Sequence, residues 1–146
     1  MKVGPFVRQL DQDRIVEAIR AAEARSRGEL RVHVSSRAVE DPQKAAAAQF
    51  EKLGMAGTAE RNGILIYVAP KSQTFAVIGD AGIHEKCGAP FWGELVAAIG
   101  GEFREGHFTD GLVNAIARAG DALATHFPRL TDRTDRNELP DQVSED

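Results

Sequence analysis

The sequence predicts an α/β fold, a mixed β-sheet of about three to four strands sandwiched between helices, and three observations carry that reading. Residues 30–34 alternate apolar and polar side chains, residues 64–69 are wholly apolar, and a helix bracketed at both ends lies between them. A parallel strand pair joined by a helical crossover explains that order, and such crossovers are right-handed. A second β-prone run, residues 74–78, follows after only four residues, so it returns as the antiparallel arm of a hairpin.

Taken in order, residues 11–25 form a helix, with Asp11 and Asp13 near its positive amino end and Ile15, Ile19 and Ala22 at helical spacing. Gly28 ends it. In the first strand Leu30, Val32 and Val34 form the buried face, and Arg31, His33 and Ser35 the polar one. Asp41-Pro42 pairs a favoured N-cap with the residue best suited to the first helical turn, and Gly54 closes that helix after Leu53. Gly63 leads into Ile64-Leu65-Ile66-Tyr67-Val68-Ala69, whose unbroken apolar character fits a strand buried on both faces. Gly79-Asp80-Ala81-Gly82 turns the chain, with a short helical turn at residues 84–87. Pro90 opens a helix with Trp92, Leu95, Val96, Ile99 and Phe103 on one stripe, and Gly100-Gly101 marks a close approach or a break within it. A last helix carries Phe108, Leu112, Ile116, Ala119 and Leu123, ending near Phe127-Pro128.

Residues 1–128 therefore make one domain, and residues 129–146 an acidic tail expected to be disordered. The tail holds three arginines against six acidic residues, with few apolar side chains to offset its ordering entropy. The whole chain has 146 residues and a net charge of −4, from 18 Lys and Arg against 22 Asp and Glu. That balance argues against a nucleic-acid binder, which draws its affinity from neutralising phosphates. No apolar run approaches the roughly 20 residues a membrane span requires, and no secretory leader is legible, so the expected location is cytoplasmic. Cys87 is the single cysteine, so no intramolecular disulfide forms.

Common catalytic signatures fail on individual residues. There is no phosphate-binding Gly-rich loop ending in Lys-Ser/Thr, no Gly-x-Ser-x-Gly and no His-Glu-x-x-His. A cysteine phosphatase needs an arginine six positions after its nucleophile, and Gly93 stands there. His84 and Cys87 share a helical spacing but lack the further ligands zinc requires. His33, His107 and His126 read as surface or helix-end residues. One constellation remains. Glu60 precedes the apolar strand, Asp80 follows the hairpin and Glu85 lies just beyond, a set of carboxylates suited to calcium or magnesium. The same Gly-Asp-x-Gly also reads, more commonly, as a plain turn.

Three segments together resemble the TPM domain family: Arg61-Asn62-Gly63-Ile64-Leu65-Ile66-Tyr67-Val68, Phe75-Ala76-Val77-Ile78-Gly79-Asp80-Ala81-Gly82-Ile83 and Phe103-Arg104-Glu105-Gly106-His107-Phe108-Thr109-Asp110-Gly111-Leu112. The resemblance implies a mixed sheet between helices. Plant members are associated with photosystem II repair and described as acid phosphatases, some members bind calcium, and compact bacterial members occur beside LemA-type membrane proteins. Many members carry an acid directly before Asn-Gly, where this chain has Arg61, and an Asp after the glycine turn, where the nearest acid here is Glu85. The resulting expectation is a non-catalytic binding or accessory module. It would respond to a divalent cation at Asp80, Glu85 and Glu60 and serve membrane-protein or envelope maintenance. The alternative is a metal-assisted acid phosphatase in which Arg61 or Arg104 stabilises the developing charge.

Overall fold

A computed structural model describes residues 3–129 and 143–145. The sheet contains β1 (Glu29–Val34), β2 (Gly63–Ala69), β3 (Thr74–Gly79) and β4 (Ser144–Glu145), in the order β3-β2-β1-β4. β1 and β2 are parallel, with Leu30 opposite Ile64, and β2 and β3 are antiparallel, with Ile66 opposite Val77. Among the described residues six α-helices surround it: α1 (Val3–Gln9), α2 (Gln12–Ala24), α3 (Pro42–Lys52), α4 (Ala81–Cys87), α5 (Ala89–Arg104) and α6 (Phe108–His126). The mixed sheet between helices is therefore as expected.

Side-chain alternation along β2 builds a core on each face of the sheet. Ile64, Ile66 and Val68 join Leu30, Val32 and Val34 beneath α2, α5 and α6, while Leu65, Tyr67 and Ala69 pack with Ala46 and Phe50 of α3. Asp41 caps α3 as the sequence suggests, and Asp11, expected as a charge within the first turn, is the N-cap of α2. Asp11 accepts from the Arg14 backbone N–H at 3.2 Å, and Asp41 from that of Lys44 at 3.1 Å. Among the described residues no helix is long and apolar enough to cross a membrane.

Five local expectations are corrected. First, α1 was not foreseen: its short apolar face brings Phe6 to 5.0 Å from the Phe108 ring, a tertiary contact that stabilises a segment too short to be helical alone. Second, His33 is buried, not on a solvated face. Its ring stacks on Tyr67 at 5.6 Å, and its Nδ1 lies 3.0 Å from Ser144 Oγ. Third, the tail is not wholly unpaired, because Ser144 and Glu145 form a parallel ladder with His33 and Val34, and Val143 packs against the main core. The other tail positions, 130–142 and 146, lie outside the described residues. Removing residues 143–146 is accordingly expected to cost about 1–2 kcal/mol, from a half-buried valine and a short ladder. Chemical denaturation of the truncated chain measures it, and an unmoved midpoint would show that β4 contributes nothing.

Fourth, Gly79-Asp80-Ala81-Gly82 is not a turn built on positive φ. Positive φ among the glycines is confined to Gly54, Gly88 and Gly106, and Asp80 instead caps the two-turn helix α4. Fifth, α5 runs unbroken through Gly100 and Gly101, and what packs nearest to Gly100 is side chain, not another backbone segment. A Cβ on Gly100 would lie 3.3 Å from the Arg104 guanidinium and 3.7 Å from the Phe75 ring, so its missing side chain leaves room for those two.

Candidate functional site

Asp80 lies at the end of β3 and Arg61 just before the start of β2, and the antiparallel pairing of these strands brings both to one end of the sheet. It is the amino end of the parallel pair, opposite to the carboxyl ends where open α/β sheets usually bind ligands. Arg61 adopts φ +54, a left-handed conformation uncommon for a side chain of its size. Backbone contacts hold it there. Its N–H donates to Thr58 at 3.3 Å, and its carbonyl accepts from Gly82 at 2.8 Å and Ile83 at 3.3 Å.

That conformation aims the guanidinium at a buried carboxylate. Arg61 Nε donates to Asp80 Oδ2 at 2.6 Å and Nη2 to Oδ1 at 2.8 Å, a bidentate pair. Asp80 Oδ1 also accepts from the Ala81 N–H at 2.8 Å. The Asp80 side chain is 6% exposed and that of Arg61 52%, so the pair has one dry and one wet member. The hydrogen bonds to Asp80, with its charge, raise the already high pKa of Arg61, which stays a fixed cation. The Asp80 backbone is equally engaged, its N–H donating to Gly63 at 2.9 Å and its carbonyl accepting from His84 at 2.8 Å.

The other two sequence-derived candidates do not join Asp80. Glu60 is gripped by Arg27, with Nε to Oε2 at 2.6 Å and Nη2 to Oε1 at 3.0 Å. Arg27 in turn donates to the Pro128 carbonyl at 2.6 Å and lies over the Phe127 ring, so Glu60 belongs to the network that ties down the end of α6. Glu85 stands exposed on α4. Among the described residues no three His, Cys, Asp or Glu side chains gather where they could hold a metal ion. The donor set as placed does not fit a divalent cation, because both oxygens of Asp80 and both of Glu60 already accept from guanidinium groups.

Nor is a nucleophile assembled among the described residues. The Cys87 thiol has no hydrogen bond among the described residues, and burial raises its pKa, the opposite of what a reactive thiolate needs. His84 stacks on Trp92 with centroids 5.7 Å apart, a packing role. Of the two arginines considered for charge stabilisation, Arg61 is committed to Asp80, and Arg104 is exposed at the end of α5. Sequence reasoning missed Arg27 and the pairing of Arg61 with Asp80. The only advance signal was the arginine at a position where an acid was expected.

The TPM domain family profile matches residues 6–122. The chain belongs to the TPM domain family. Among solved structures, this TPM domain is similar to the BA42 protein of the psychrophilic bacterium Bizionia argentinensis, determined by NMR. Their identity is 41%, the alignment covers 92% of each chain, and the TM-score is 0.84. A search of curated proteins finds no match. Residues 6–122 run from α1 through nearly all of α6, so the match spans the TPM domain's two helical layers and β1 to β3, including the Arg61–Asp80 pair.

Proposed function

We propose that this TPM domain is a non-catalytic binding module in which Arg61 occupies the place of a divalent cation, so that its Asp80 pole is complete without metal. The observation that carries this reading is the bidentate Arg61–Asp80 pair, with a third bond from the Ala81 N–H to the same carboxylate. A cation entering here would have to expel a guanidinium from a largely dry carboxylate, losing charge-assisted bonds that are among the stronger polar contacts in proteins. The lack of any paired nucleophile and base among the described residues supports a binding role over phosphoester hydrolysis. The family resemblance makes a LemA-type membrane protein the first partner to test.

Two measurements on the full chain decide the matter. Calcium added to millimolar concentration is expected to leave the backbone amide NMR spectrum unchanged, and an aryl phosphate to remain unhydrolysed. Saturable calcium shifts at residues 60–63 and 80–85 would overturn cation independence. Turnover abolished by Asp80→Asn would overturn the non-catalytic reading.

A further inference from the structure

The opposite end of the sheet holds a cleft unrelated to the Asp80 pole. Where β2 ends and the hairpin turns, Phe75 of β3, Phe103 of α5 and Phe108 of α6 wall a space of about 490 Å³. Its size falls in the range typical of small-molecule sites. The three rings meet edge to face, Phe103 lying 5.5 Å from Phe75 and 5.4 Å from Phe108, yet each stays only partly buried. Apolar surface is thus held open to the cleft, not sealed into the core.

Two further features converge there. Arg104 is the single charged residue lining the cleft, and its guanidinium has no hydrogen bond or ion pair among the described residues. It folds back along α5 over Gly100, where a Cβ would stand 3.3 Å from Nη1. Glycine in a helix interior costs about 1 kcal/mol relative to alanine, and here it leaves room for the cation beside the aromatic wall. Gln73, also lining the cleft, closes the hairpin turn at φ +54, its N–H donating to the Pro70 carbonyl at 3.0 Å.

We propose that this cleft binds small apolar carboxylates, of the aryl-alkanoic or medium-chain fatty-acid class. The phenylalanines take the apolar body, and Arg104 takes the carboxylate in a bidentate pair. One guanidinium with no second cation matches a single negative charge better than the double charge of a phosphate monoester. The site shares no residue with the Arg61–Asp80 pair, so failure here would leave the reading of that pole untouched.

The test titrates the full chain with 3-phenylpropionate and, separately, with the neutral 3-phenylpropanamide, following backbone amides by NMR. Saturable shifts are expected at residues 73–75, 100–104 and 108. Arg104→Gln is expected to weaken the carboxylate about tenfold and leave the amide unchanged, as loss of a charge-assisted bond predicts. Because Arg104 is exposed, the variant keeps the fold. Absence of saturable shifts at millimolar probe, shifts confined to other residues, or equal loss for both probes would each overturn the proposal.

Discussion

Gly82→Ala is expected to destabilise the protein by about 3 kcal/mol, the upper range for an atom forced into filled space. A Cβ at this position would lie 2.3 Å from the Glu60 carbonyl oxygen and 2.7 Å from that of Arg61. Both obstacles are backbone, so no side chain can rotate away. The contact is also the joint that docks α4 on the loop before β2, because the Gly82 and Ile83 N–H groups donate to that same Arg61 carbonyl. Moving α4 outward to admit a methyl group would pull Asp80 from its guanidinium as well. Urea denaturation with an unchanged slope measures the loss, and near-native stability would show that the loop yields. Gly101→Ala serves as the control. Nothing lies within 4 Å of its Cβ position inside α5, so the change should stabilise by up to about 1 kcal/mol.

Arg61→Asp is expected to make the protein's stability depend on calcium. The substitution removes the counter-charge of a carboxylate that is 6% exposed and sets a second carboxylate beside it. Repulsion between the two lowers stability when divalent cations are chelated. A cation that binds only the folded state then restores it by mass action. The left-handed backbone at this position suits Asp better than Arg, so the conformation itself is not the obstacle. Thermal melts with chelator and with millimolar calcium should separate for the variant and coincide for the native chain. If the variant's melts also coincide, the Asp80 pole is not a latent cation site and Arg61 is simply a surface clamp.

Much of the scaffold was legible because its signals are local. Asp11 and Asp41 announce helix starts through a side-chain bond to a backbone N–H three residues on, and the chain needs nothing distant to form it. The apolar run in β2 is likewise explained by burial on both faces. Errors arose where local and tertiary signals diverge. Asp-x-Gly begins a turn and caps a helix equally well, and only the docking of α4 on the Arg61 carbonyl selects the cap. His33 follows the period of a polar face, yet the ring of Tyr67 and the strand β4 cover it.

The candidate site was legible only as a set of residue types. Glu60 and Asp80 were correctly singled out as carboxylates at strand ends, but their partners could not be read from spacing. Arg27 lies 33 positions from Glu60, and Arg61 lies 19 from Asp80. The sequence by itself determined α2, α3, α5 and α6, the parallel pair and the hairpin, because periodicity and caps act between neighbours along the chain. Which guanidinium neutralises which carboxylate was decided by tertiary structure alone, since strand register and helix docking set which loops share an end of the sheet. Two loops brought together satisfy their charges on each other, and Asp80, a candidate ligand in the sequence, stands in the fold as the partner of Arg61.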